Sequence, residues 1–250
     1  MHISLHFLPK LSPPCTLKTQ YIIARIAVMI ETLLEVSKRH LSPSHSRAIA
    51  VLAHLTRHPK NCHQLVFKYA TILPVLQGAT ASPDKEARRY AFCALQNLSM
   101  DKSCRAPIAH SPKVIWSLTQ QCKDTTEEED ESRMSAMATL QNLSDEPANL
   151  IQFTIVHDCI GTIIQVARGD SMRGEQTDLT SFMAKNTLAT LSHWFRKIAT
   201  SGMERVRKTE IATAFGPASP KSPIASSEGK RAFVNLYNAT LEPKFYNQWS

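Results

Sequence analysis

One nine-residue pattern occurs four times in this chain: Ala-x-x-x-Leu-x-x-Leu followed by Ser or Thr. The copies are Ala48-Leu52-Leu55-Thr56, Ala91-Leu95-Leu98-Ser99, Ala136-Leu140-Leu143-Ser144 and Ala184-Leu188-Leu191-Ser192. Their second leucines are 43, 45 and 48 residues apart. In each copy the small residue and the leucines four and seven places later fall on one face of a helix, so each helix buries one stripe against neighbours. A single copy describes any amphipathic helix. Four copies at a period near 40 residues describe a stack of helical repeats.

The intervals repeat as well. Each holds a short amphipathic piece (residues 61–69, 102–110 and 147–157) and then a more apolar helix (70–81, 114–122 and 159–167), giving three helices per unit. Pro59, Pro83, Pro107, Pro112 and Pro147 are expected mostly at the beginnings of these pieces, where a missing N–H costs least. Seven glycines in 250 residues are too few for a fold built on glycine turns.

The stretch Asp84-Lys-Glu-Ala-Arg-Arg-Tyr-Ala-Phe-Cys-Ala-Leu-Gln-Asn-Leu-Ser99, with Cys104-Arg105 and the helix around Trp116, resembles an armadillo repeat. So does Met134-Ser-Ala-Met-Ala-Thr-Leu-Gln-Asn-Leu-Ser144, with 149–156 and 159–167 after it. The family's usual Gly-Ala ahead of the second helix is replaced by Asp158-Cys159 and, in the other copy, by residues 111–114. The resemblance covers roughly residues 22–200 and implies an all-α, right-handed superhelical solenoid of about four three-helix repeats. HEAT repeats, with two helices per unit, are the nearest alternative.

Armadillo proteins that bind extended peptides carry Trp-x-x-x-Asn on the third helix, and the Asn amides line a concave groove. The matching Asn positions are His54, Asn97, Asn142 and Thr190; the Trp positions are Ala50, Cys93, Ala138 and Asn186. An Asn amide places donor and acceptor side by side and so pairs with an extended backbone. Two asparagines are present and no tryptophan is, so the slots that hold lysine stems in receptors for nuclear-localisation signals are missing. The candidate peptide-binding residues are Asn97, Asn142, His54, Arg89 and Cys93, with Arg89 one turn before Cys93 on the same face. The alternative is that the two asparagines are helix-surface or capping residues with no partner.

Charge is uneven: residues 1–68 carry nine Lys/Arg and two acids, 69–195 eleven and fifteen, and 196–250 nine and four. The dibasic pairs are scattered rather than gathered on one face, which disfavours a nucleic-acid partner. Asp124–Glu131 holds six acids in eight residues. It is expected to be a solvated insertion, with Glu131 and Ser132 near a helix cap. Residues 169–178 are expected to form a surface loop, and 203–215 one more helix.

The six cysteines include no C-x-x-C, and the ten histidines form no metal-ligand spacing, so a reducing compartment and no metal or other cofactor are expected. No phosphate-cradling glycine loop and no G-x-S-x-G occurs. The expected function is a non-enzymatic protein-interaction scaffold that binds an extended peptide or disordered segment in a concave groove, with a protein or peptide partner, no small-molecule substrate and no membrane partner, in the cytoplasm or nucleus. The alternative is a structural fragment or subunit of a larger or oligomeric helical-repeat assembly. The first thirty residues have no acid and loosely resemble a mitochondrial presequence.

The expected organisation is an irregular segment 1–19, the solenoid 20–215, a Pro/Ser-rich linker 216–229, and a tail 230–250 with a possible short helix. An imperfect cap is expected at each end of the stack, the first being residues 21–39 as a second helix without its predecessor.

Overall fold

The computed structural model describes residues 27–39, 42–126, 129–169 and 175–212, with backbone only at 175–178 and 202–212. The irregular segment 1–19, the linker 216–229 and the tail 230–250 lie outside the described residues.

The four motif helices form one row. They are α2 (His45–Thr56), α5 (Lys85–Met100), α8 (Asp130–Ser144) and α11 (Glu175–Ala212), each packed on the next. Every motif Ala and Leu is at most 4% exposed, from Ala48 to Leu191. That burial drives the stacking, at about 1.5–3 kcal/mol for each leucine removed from water. Helix ends are set locally. Asp84 caps α5 by accepting from the N–H groups of Glu86 and Ala87, and Asp101 caps the following α6 by accepting from Ser103 N–H.

A second row holds the short pieces: α3 (Pro59–Lys68), α6 (Lys102–His110), and a 3-10 turn (Pro147–Asn149) leading into α9 (Leu150–Ile155). The third row holds α4 (Ile72–Ala79), α7 (Val114–Lys123) and α10 (Cys159–Arg168). The helix α1 (Ala27–Ser37) packs on α2 and α4, the place a second helix takes in a unit without its first. Among the described residues there is no strand.

Several expectations need correction. Pro107 lies inside α6 rather than at its start, where it removes an internal hydrogen bond. The expected 169–178 loop is shorter, because α11 already begins at Glu175. Residues 203–212 are no separate helix: α11 runs without a break for 38 residues. The acid run is only partly solvated. Glu129 is 5% exposed and forms an ion pair with Arg88, while Gln121 also donates to it. Asp130 and Glu131 occupy the first turn of α8, where the helix dipole favours them, and Glu131 and Ser132 lie near the cap as expected, with Glu129 at the cap position itself and Ser132 buried.

The missing glycines leave a backbone trace. Lys113 (φ 61°) and Asp158 (φ 62°), immediately before α7 and α10, both take the left-handed conformation that glycine adopts at no steric cost. Asp158 is held there by an ion pair with Lys123 at 2.8 Å, and Gly161 leaves room for its carboxylate.

Candidate functional site

The outward face of α2 and α5 brings four of the five candidate residues together. His54 is exposed, and its ring centroid lies 6.0 Å from that of Tyr90. Arg89 stacks over Tyr90 at 4.5 Å and donates to Glu86 at 2.7 Å and to Glu131 of the next motif helix at 2.9 Å. Its pKa is raised, first by the hydrogen bond to Glu86, with desolvation opposing and Glu131 reinforcing. Desolvation, then Arg57 and Arg89, holds His54 below its usual value. Burial pushes the half-buried Cys93 thiol up against the opposing pull of Arg57 and Arg89, so it is a poor nucleophile at neutral pH.

The two asparagines do not stand free in this face. Asn97 Nδ2 donates to Thr56 Oγ1 (3.1 Å) and more weakly to Ala53 O (3.4 Å), both on α2. Asn142, one unit further along, donates from Nδ2 to Ser99 Oγ on α5 (2.9 Å). Those hydroxyls in turn donate to carbonyls of their own helix: Thr56 to Ala53 O and Ser99 to Gln96 O, each at 2.7 Å. Each asparagine is therefore a stitch from one motif helix to the Ser/Thr that ends the previous one. Its Oδ1 accepts no hydrogen bond from the described residues and remains for an outside donor.

A second ladder went unseen in the sequence. Asn61 Nδ2 donates to Leu55 O (2.8 Å), Arg105 Nε to Ser99 O (3.0 Å), and Asn149 Nδ2 to Leu143 O (3.0 Å). All three reach back six residues to the carbonyl end of a motif helix, satisfying groups that the helix itself cannot pair. The signal was present: three polar residues at 44-residue intervals, Asn61, Arg105 and Asn149.

The fourth motif lacks this closure. α11 continues past Ser192, and the buried Ser192 Oγ has no hydrogen-bond partner. Thr190, at the fourth Asn position, is half-buried on the same helix.

An open pocket lined by Ser37, Lys38, Thr71, Pro74 and Val75 lies on the α1–α4 side, away from these residues. Among the described residues, no three His, Cys, Asp or Glu side chains converge to hold a metal ion.

Solved structures share the helical-repeat fold. A designed armadillo repeat protein matches with a TM-score of 0.53 at 15% identity, over 92% of this chain and 98% of its own. The fold is armadillo-like. An engineered protein solved as a structural-genomics target matches equally well, with a TM-score of 0.53 at 18% identity over 93% of this chain and 96% of its own. No protein-family model and no curated protein matches the sequence. Identities this low carry the helical-repeat architecture of the solenoid and nothing finer. Specificity has to be read from the chain's own face.

Proposed function

We propose that this armadillo-like solenoid is a non-enzymatic scaffold, and that an extended protein segment lies across α2, α5 and α8 with Asn97 and Asn142 at its backbone. The observation that carries this reading is the shared geometry of the two asparagines. Each N–H points back to the preceding unit and each Oδ1 is left without a donor. A row of acceptors spaced by the repeat suits the regularly spaced N–H groups of an extended chain. His54, Cys93 and Arg89 border the same face. The buried free thiols Cys62, Cys104, Cys122 and Cys159 fit a reducing compartment, which favours the cytoplasm or nucleus.

The test separates recognition from stitching. Ser99→Ala breaks the Asn142 stitch but keeps the amide, whereas Asn142→Ala removes both. Peptide-array hits should lose no more than about twofold affinity for Ser99→Ala, which keeps the acceptor but frees it to turn, and at least about fivefold for Asn142→Ala and for Asn97→Ala. Equal losses for Ser99→Ala and Asn142→Ala, with helicity preserved, would leave the asparagines a purely structural role.

A further inference from the structure

The chemistry of this face changes from one end of the row to the other. On α2 it carries His54 and, at the helix end, Arg57. Arg57 is exposed, forms no ion pair among the described residues, and acts electrostatically on both His54 and Cys93. In the middle the charges are answered: Arg89 by Glu86 and Glu131, and Asp145 by Arg105. At the far end two of its positions turn apolar. The positions five and two before the motif alanine hold Glu86 and Arg89 in α5, and Glu131 and Met134 in α8, but Leu179 and Phe182 in α11. Both of these apolar residues are 50% exposed. A cation with no counter-ion among the described residues and a half-exposed apolar pair therefore flank the two open Asn acceptors.

We propose that the occupant of this face is an extended segment with a carboxylate-bearing end over Arg57 and a bulky apolar residue on Leu179 and Phe182. The inference rests on the reading of Asn97 and Asn142 given above, and adds the composition and polarity of the partner. Charge complementarity sets one end, since an exposed guanidinium with no counter-ion favours a carboxylate. Burial of two half-exposed apolar side chains sets the other. Length follows from geometry. Three interhelical steps of about 9 Å, combined with the offset along the helices between Arg57 and Phe182, give roughly 30–35 Å. At about 3.3 Å per residue that is a segment of roughly ten residues.

The probe is a set of fluorescein-labelled decapeptides with two Glu at one end, a Ser/Thr centre and Phe-Leu at the other, made in both chain directions, with matching peptides carrying Lys in place of Glu. Fluorescence polarisation at low salt is expected to show binding of a Glu peptide in one direction, with the Lys version about tenfold weaker. Arg57→Glu should reverse that preference, and Phe182→Ser should weaken binding about tenfold, with circular dichroism unchanged in both.

The proposal is overturned if the Lys peptide binds as well as the Glu peptide, if neither Arg57→Glu nor Phe182→Ser changes affinity, or if no peptide binds. It is also overturned if light scattering shows a dimer that Phe182→Ser dissociates, since the apolar end would then be a self-interface. The two readings fail separately. Lys and Glu peptides that bind equally but need Asn142 would leave the groove and remove its polarity. An Arg57-dependent peptide indifferent to Asn97 and Asn142 would do the opposite.

Discussion

Two chemically identical substitutions at equivalent positions, Ser99→Ala and Ser192→Ala, should have opposite effects on stability. Ser99 is fully buried, donates to Gln96 O at 2.7 Å and accepts from Asn142 Nδ2 at 2.9 Å. Losing two such bonds costs about 1–3 kcal/mol; the amide of half-buried Asn142 can turn to water, and alanine gains about 0.5 kcal/mol of helix propensity, leaving a net loss of about 1–1.5 kcal/mol. Ser192 is 6% exposed and its hydroxyl has no partner, so its removal relieves a buried polar atom. Ser192→Ala is expected to stabilise by about 0.5 kcal/mol. Urea denaturation followed by circular dichroism reads the difference, about 2 kcal/mol between the two variants. A double-mutant cycle of Ser99→Ala with Asn142→Ala should return a coupling of about 0.5–1 kcal/mol. If the two serine variants agree within about 0.3 kcal/mol, the hydroxyl relay contributes nothing to stability.

Further outcomes follow from the same geometry. Lys113→Gly should raise the urea midpoint, corresponding to about 0.5–1 kcal/mol, because Lys113 sits at φ 61°, whereas Thr71→Gly, at φ −85° before α4, should lower it. Glu129→Gln should cost about 1–2 kcal/mol, less than a fully buried pair because Arg88 retains 26% exposure; an unchanged melting temperature would show that the attraction to Arg88 only balances the cost of burying the carboxylate. Burial pushes Cys62 up to about 11 and Cys104, Cys122 and Cys159 up to about 12. Since the folded pKa lies above the unfolded one, the thiol contribution is complete below about pH 8.5–9 and declines as pH rises toward 11–12. Stability under reducing conditions should therefore fall from about pH 9 upward, and Cys122→Ala should flatten that slope; a slope unchanged by the substitution would contradict the assignment.

The helices were legible because periodicity reports burial. Ala91, Leu95 and Leu98 are all fully buried, as their spacing requires, and the same holds for Ala136, Leu140 and Leu143. Polarity was a poorer guide to exposure. The run 124–131 reads as solvated from its composition, yet Glu129 is drawn inward by Arg88, 41 residues away in sequence. No local pattern encodes a partner at that distance. The end of a helix is similarly invisible when nothing breaks it: residues 193–212 contain no proline and a single glycine, Gly202, so α11 continues where the first three motif helices stop. Residues 175–178 were read as loop for the opposite reason, since the polar, Gly-containing stretch ahead of them hides the helix start.

The candidate site was legible in position but not in mechanism. Repeat alignment placed Asn97 and Asn142 at equivalent points on one face, and it is their amide nitrogens, facing Thr56 and Ser99, that the alignment left unexplained. The Ser/Thr that closes each motif and the Asn of the following unit are one device, with the hydroxyl turned to its own helix and accepting from the next. Because the donor is fixed by the stacking of units, the direction of each Oδ1 is fixed too. The acceptors are therefore preorganised, and a bound segment would avoid the cost of ordering them. The same coupling makes recognition sensitive to repeat packing: a change that separates α5 from α8 should reorient Asn142 and weaken binding without touching the partner, whereas Ser192, whose helix never closes, lies outside this coupling.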